Sequence, residues 1–135
     1  MKNKKILIIA MLGILMLMQS MVAFAKPSVS KWTYEAQESG FSLTLWREGN
    51  KVWGSHSAWA NNGNRCDSSM DEISIRGERS SQSGYVVHWK SGYSNATGLA
   101  YLTFRNDGTL LWRVSQVQEN GERYIPDRAV LRPAR

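Results

Sequence analysis

Short runs of alternating apolar and polar residues dominate the chain after residue 25. Phe41, Leu43 and Leu45 alternate with Ser42 and Thr44, the period of two that is typical of a strand with one buried face. Comparable runs occupy residues 31–35, 52–60, 72–76, 85–90, 98–104, 110–114 and 129–131. No segment carries the 3.6-residue apolar stripe of an amphipathic helix. The pattern therefore predicts an all-β protein.

Turn signals separate these runs at close intervals. Glu48-Gly49-Asn50 and Asn106-Asp107-Gly108 are typical of hairpin turns, and residues 61–64 read Asn-Asn-Gly-Asn, the clearest loop signal in the chain. Short connections favour an antiparallel meander of about seven or eight strands. Because such a sheet protects its edges by closing or by folding over, we expect a β-barrel or a sandwich, and we prefer a small closed or half-open barrel.

The first 25 residues carry a different pattern. A cationic start is followed by an apolar run over residues 6–18, and Ala23-Phe24-Ala25 places small residues at the −3 and −1 positions before Lys26. These features predict a signal peptide, residues 1–25, cleaved after Ala25. A membrane anchor is the alternative, but a spanning helix needs roughly 20 apolar residues and usually lacks a cleavage site. We expect a single β-rich domain, residues 26–135, that is periplasmic or secreted and keeps no membrane anchor after cleavage.

Net charge excludes one class of partner. The chain has 17 basic and 11 acidic side chains. The predicted signal peptide removes Lys2, Lys4 and Lys5, which leaves a net charge of +3 on a domain whose basic residues are scattered. Such a distribution is not typical of a nucleic-acid-binding protein. Four arginines near the C-terminus are interpreted as a solvated basic tail, and the alternative is a site for an anionic partner such as a cell-wall polymer or an acidic protein surface: Arg123, Arg128, Arg132 and Arg135.

Cys66 is the only cysteine, so the domain cannot form an internal disulfide. Exported proteins normally use cysteines in pairs. The thiol is therefore either buried and inert or paired with another chain. A catalytic thiolate needs a neighbouring base, and neither His56 nor His88 is close to Cys66 in sequence.

Catalytic and metal-binding motifs are absent from the sequence. A Ser–His–Asp set could be assembled from His56 or His88 with one of many serines and Asp67, Asp71 or Asp107, but no G-x-S-x-G pattern supports it. The histidines, Cys66 and Asp67 lack the short spacing of a zinc site. We predict no catalytic residues, no metal and no cofactor. A small hydrolase that uses carboxylates of Asp67, Asp71 and Glu72 stays an alternative, because paired carboxylates need only spatial proximity.

Aromatic residues offer the most specific binding signal. Six tryptophans lie after residue 25, and many must fill the core, because large aromatic side chains favour strands and interiors. Trp46 and Trp53 flank the first hairpin away from the apolar face of its first strand, so we expect this pair to be exposed. Tyr93, in a Gly- and Ser-rich loop, is the next candidate. Together with Asn62 and Arg65 of the preceding loop, these residues are the predicted contacts.

Three blocks resemble a family of small exported bacterial proteins of uncharacterised function. The first reads Asn-Asn-Gly-Asn-Arg-Cys-Asp over residues 61–67 and the second Val-His-Trp-Lys-Ser-Gly-Tyr over 87–93. The third ends in Gly-Glu-Arg-Tyr-Ile-Pro-Asp-Arg-Ala-Val-Leu over 121–131. The resemblance covers most of residues 51–131 and implies an exported β-domain without supplying catalytic residues. Members of the family carry a second cysteine upstream, where this chain reads Ser-His-Ser over 55–57.

These observations favour a non-enzymatic binding protein. Export, small size, strand content and aromatic loops suit an inhibitor or immunity-type protein that acts on a cell-wall hydrolase, and bacterial periplasmic lysozyme inhibitors are likewise small exported β-barrels. The expected partner is a protein of the cell envelope or a cell-wall glycan. The first alternative is a barrel that binds a carbohydrate or small ligand at an aromatic mouth, and the carboxylate-dependent hydrolase is the second.

Overall fold

The computed structural model describes residues 26–135, and the predicted signal peptide lies outside them. Nine strands make up the fold, with one short 3-10 turn at Asn61–Gly63. The described residues contain no apolar helix of the length that a bilayer crossing requires. The strands are β1 (Ser28–Glu35), β2 (Gly40–Glu48), β3 (Lys51–Ala60), β4 (Arg65–Ser68), β5 (Ile75–Arg79), β6 (Gly84–Lys90), β7 (Thr97–Phe104), β8 (Leu110–Glu119) and β9 (Arg128–Pro133).

Eight of these strands close into an antiparallel barrel. From β5 to β9 each strand pairs with the next one along the chain, and β9 then pairs with β1. The barrel closes because β1 pairs with β2, β2 with β3, and β3 with β5. Strand β4 pairs with residues 57–60 of β3, whereas β5 pairs with residues 51–54 of the same strand. The structure thus confirms the all-β prediction and the preference for a barrel over a sandwich.

Side chains fill the barrel interior. Each strand alternates between inward and outward positions, as the period of two requires. The indoles of Trp89 and Trp112 are 1% and 0% exposed, and Trp112 Nε1 donates to the carbonyl oxygen of Pro126 at 2.9 Å. Phe41 packs against Trp112 with ring centroids 5.2 Å apart. An eight-stranded barrel has room for side chains or for one small ligand, and in this protein large apolar side chains take that space.

The two ends of the barrel differ in the length of their connections. One end carries the tight turns after β2, β5 and β7, including the predicted turn at Asn106–Gly108, where Gly108 has a φ of 84°. The other end, called the loop end below, carries the turn after β1, the connection over residues 61–64 and the three longest connections. These three are residues 69–74, 91–96 and 120–127. Long connections on a rigid scaffold are where binding residues concentrate.

Two strands depart from the sequence prediction. The pattern places no strand at β4, because residues 65–68 lack apolar alternation; β3 nevertheless supplies a free edge for them. The strand predicted over residues 72–76 runs instead from Ile75 to Arg79. Of the two isoleucines in that segment, only Ile75 points fully inward, at 0% exposed. The bounds of β5 are therefore determined by its pairing with β3 and β6 rather than by the alternation of Ile73 and Ile75.

Replacing Leu102 by alanine tests the inward assignment of β7. Leu102 is fully buried between β6 and β8, so Leu102→Ala leaves a cavity and is expected to lower the free energy of unfolding by about 2–5 kcal/mol. Leu99→Ala, on the outward face of the same strand, is the matched control and should change it by less than about 1 kcal/mol. Urea denaturation followed by tryptophan fluorescence measures both. Equal losses for the two variants would contradict the assignment.

Candidate functional site

Contacts between connections hold the loop end together. The backbone N–H of Asn62 donates to the carbonyl oxygen of Glu38 at 3.2 Å, which ties the β3–β4 connection to the β1–β2 turn. Gly121 packs so closely on Ser94 and Ala96 that a Cβ at this position would overlap the Ser94 hydroxyl. The β8–β9 connection therefore rests directly on the β6–β7 connection.

Asp67 is the centre of this end. Its side chain is fully buried, and four donors converge on its two oxygens. Oδ1 accepts from His56 Nε2 at 2.8 Å and from the backbone N–H of Gly92 at 2.7 Å. Oδ2 accepts from the Ser91 hydroxyl at 2.7 Å and from the backbone N–H of Tyr124 at 3.1 Å. One carboxylate thus joins β3, β4, the β6–β7 connection and the β8–β9 connection.

These donors keep Asp67 ionised. Burial by itself raises the pKa of the carboxyl, but the hydrogen bonds from His56, Ser91, Gly92 and Tyr124 outweigh it and lower the pKa from 3.8 to about 2. A carboxylate that accepts several N–H bonds is stabilised in its charged form. A proton on either oxygen would have to displace a donor that is bound to that oxygen.

His56 extends the network to Ser74. Its imidazole is fully buried, and Nδ1 lies 2.6 Å from the Ser74 hydroxyl oxygen. Because Asp67 is a carboxylate, Nε2 carries the hydrogen that it donates. In a neutral imidazole this arrangement is the Nε2–H tautomer, in which Nδ1 accepts a hydrogen bond from the Ser74 hydroxyl. Ser74 is the most accessible member of the chain Asp67–His56–Ser74 and borders a surface cavity of about 540 Å³.

The order of these three groups is that of a Ser–His–Asp triad, but the surroundings favour a structural role. Acyl transfer also uses N–H groups free to stabilise an oxyanion. The backbone N–H of Ser74 donates to Gly54 and that of Lys90 to the Ser74 carbonyl oxygen. The N–H of Gly92 is bound to Asp67. With the lone pairs of Asp67 occupied, its carboxylate is also a poor match for the acid–base role of the hydrolase alternative.

A second layer of bonds sets the shape of the β6–β7 connection. The Ser91 hydroxyl, which donates to Asp67, accepts from the backbone N–H groups of Tyr93 at 3.0 Å and Ser94 at 3.2 Å. Gly92 packs on Ser68 so closely that a Cβ there would overlap the Ser68 carbonyl oxygen. The backbone at Tyr93 is consequently held by Ser91, which is itself bound to the buried carboxylate of Asp67.

Several side chains on the connections of the loop end are exposed to solvent. Tyr93 is 41% exposed and meets Tyr124 edge to face, with ring centroids 5.1 Å apart. The Tyr124 hydroxyl donates to Glu122 at 2.6 Å, and this bond raises the pKa of Tyr124 to about 12. Met70, with a φ of 55°, is 78% exposed. The loop end therefore presents aromatic and apolar side chains to solvent in fixed positions.

The structure separates the five predicted contact residues into two groups. Asn62, Arg65 and Tyr93 lie at the loop end, and the positive charge of Arg65 acts on the Tyr124 hydroxyl. Trp46 and Trp53 are direct register partners on the outer wall of the β2–β3 hairpin and are partly exposed. Both tryptophans lie off the buried face, but they are partly rather than fully exposed, and their role in binding stays a prediction.

The sequence does not mark the groups that organise this site as a set. It offers His56 and Asp67 as candidates for catalysis, whereas no motif marks Ser74, Ser91 or Tyr124. A signal for His56 exists, since it takes an inward position in β3 between Gly54 and Ala58. A polar side chain at an inward position needs a buried partner. His88 and Cys66 do not join the cluster, because His88 lies on the outer wall and Cys66 is exposed.

Comparison of the chain with protein-family models, with curated proteins and with solved structures finds no match.

The acid stability of the protein tests the role of Asp67. Because its pKa is lowered on folding, the stability it contributes is present above pH 3.8 and is lost as the pH falls toward about 2. Asp67→Asn is expected to lower the free energy of unfolding at pH 7 by at least roughly 2 kcal/mol and to flatten its pH dependence between pH 4 and 2. Urea denaturation at a series of pH values measures this.

The control for this variant is Asp71→Asn, an exposed carboxylate in the adjoining connection. It should leave both the stability and its pH dependence nearly unchanged. An Asp67→Asn protein that keeps the wild-type slope between pH 4 and 2 would contradict the assignment of an ionised, fourfold hydrogen-bonded carboxylate.

Proposed function

We propose that this protein is an exported, non-enzymatic binding protein that uses its loop end to inhibit a cell-wall hydrolase. The observation that carries the proposal is the buried Asp67 network, which holds the connections after β4, β6 and β8 in one arrangement beneath exposed Tyr93 and Met70. The sequence pattern of residues 1–25 supports a location outside the cytoplasm.

Preorganisation is what an inhibitor of this kind needs. A loop that orders only on binding loses conformational entropy, and that loss subtracts from affinity. Here Tyr93 and Ser94 are fixed through Ser91 in the unbound protein. Tyrosine is also enriched among the residues that dominate binding energy, since it contributes a large contact area with little rotamer entropy.

The filled interior favours a protein partner at the loop end over a ligand inside the barrel. Trp89 and Trp112 take up the space that a ligand would need. The outer surface of the loop end, in contrast, combines aromatic rings with basic groups: Arg65 lies near Tyr124, and Lys90 borders the same cavity as Tyr93. Most glycoside hydrolases place two carboxyl groups in their cleft, so these cations complement a cleft of that kind.

Affinity capture followed by an enzyme assay tests the proposal. Immobilised protein should retain a glycan hydrolase from an envelope extract, and addition of free protein should reduce the turnover of that enzyme in proportion to its concentration. The double variant Arg65→Ala/Tyr93→Ala should bind the enzyme about tenfold more weakly or worse, because aromatic and arginine anchors dominate interface energies.

Tyr101→Ala is the matched control for this experiment. Tyr101 is 39% exposed, close to the 41% of Tyr93, but lies on the barrel wall in β7. Its loss should not affect inhibition. Two results would refute the proposal: a folded wild-type protein that retains no hydrolase, or a double variant that inhibits as strongly as the wild type.

A further inference from the structure

A row of outward side chains crosses the barrel wall away from the loop end. Each member is the direct register partner of the next, from Trp46 in β2 to Leu99 in β7. Direct partners in a sheet point to the same face. The inward neighbours of these positions, such as Leu45 and Ile75, are fully buried, so the row faces outward. We call it the wall ladder; it consists of Trp46, Trp53, Arg76, His88 and Leu99.

The middle of the wall ladder, from Trp53 to His88, borders a groove. The ladder itself crosses five strands and therefore extends about 19 Å, given a spacing of about 4.8 Å between strands. A cavity of about 500 Å³ lies along it between Trp53, Arg76 and His88. A second cavity of about 380 Å³ continues from Arg76 and His88 toward Lys90 and Gln118. Since the two cavities share Arg76 and His88, the groove is continuous past both residues.

Positive charge in this groove is not neutralised by the fold. Arg47, Arg79 and Arg113 each lie over an aromatic ring, at 4.0, 5.0 and 5.1 Å from the ring centroid. Within residues 26–135 Arg76 has neither an aromatic partner of this kind nor an ion pair. Lys51 and His88 also border the groove, and Glu78 is the one acidic residue among those that line its larger cavity.

We propose that the wall ladder binds an extended oligosaccharide that carries carboxylate groups. The partly exposed indoles of Trp46 and Trp53 offer flat apolar surfaces for the C–H faces of sugar rings. Arg76 next to them supplies the planar, permanently charged donor that recognises a carboxylate through two parallel hydrogen bonds. Glu78 accepts hydrogen bonds from sugar hydroxyl groups, which a glycan offers beside its carboxylates.

This site is independent of the proposed inhibitor function. The five residues of the wall ladder lie outside the Asp67 network, and its tryptophans lie on the hairpin that joins β2 to β3 at the end opposite the loops. The smaller cavity of the groove borders Ser74 and Lys90, which also border the loop-end cavity, whereas the larger cavity beside Trp53 shares no lining residue with the loop end. A glycan bound at the larger cavity leaves the loop end free. Failure of one proposal therefore does not decide the other.

Two tetrasaccharides with the same β-1,4-linked backbone test the inference. One alternates N-acetylglucosamine with N-acetylmuramic acid, whose lactyl groups carry carboxylates; the other, chitotetraose, has none. Titration calorimetry and tryptophan fluorescence with the purified protein should show binding of the acidic tetrasaccharide, about tenfold or more tighter than that of chitotetraose.

The variants separate the two parts of the site. Arg76→Gln should weaken binding of the acidic tetrasaccharide about tenfold and leave binding of chitotetraose unchanged. Trp53→Ala should weaken both. Arg132→Gln, an exposed arginine of β9 on another part of the wall, is the matched control and should bind as the wild type does.

Three outcomes would overturn the inference. The first is a wild-type protein, folded by circular dichroism, that binds neither tetrasaccharide. The second is equal affinity for the two sugars, which would remove the carboxylate from the ligand. The third is an Arg76→Gln variant that retains full affinity, which would place the acidic sugar elsewhere on the protein.

Discussion

The arrangement of the loop end depends on one buried charge. A carboxylate removed from water is unfavourable unless donors replace its hydration. Asp67 meets this requirement only when β3, the β6–β7 connection and the β8–β9 connection are all in place, because each supplies part of the donor set. If any one of them moved away, a buried negative charge would be left with fewer partners. The cost of that state restricts the loop end to a single arrangement of its connections.

The closed barrel makes room for this charge by dividing β3 between two partners. Residues 51–54 of β3 pair with β5, and residues 57–60 pair with β4. His56 lies at the division, pointing inward, and Asp67 reaches it from β4 opposite Ala58. A β5 long enough to pair with all of β3 would exclude β4 and with it the carboxylate. The polar network therefore requires that β5 be short. It also requires β4, a strand that the sequence pattern does not predict, because β4 supplies Asp67.

Hydrophobic alternation predicted the barrel well, since it reports which face of each strand is buried. Leu43 and Leu102 point inward as their alternation requires. The same pattern does not report pairs distant in sequence. Asp67 and Tyr124 are 57 residues apart and meet only after the barrel has closed, so no local motif marks them. Tyr93 could be chosen as an exposed aromatic in a polar loop, but its rigid support by Ser91 depends on a carboxylate that the local sequence does not include.

The positions of the tryptophans distinguish those that pack in the core from those that are available on the outer wall, which composition alone does not do. Trp32, Trp89 and Trp112 are buried and belong to the core. Trp59 points outward, yet its indole covers Gly40 in the neighbouring strand, where any Cβ would collide with it. Trp46 and Trp53 have no such glycine beneath them; each is the register partner of the other, and Arg76 follows in the next strand. Partly exposed indoles beside an unpaired guanidinium add little to the packing of a barrel that is already filled. A ligand with an apolar face and a negative charge would contact both groups at once, and this is the physical reason to look for one on the wall rather than in the interior.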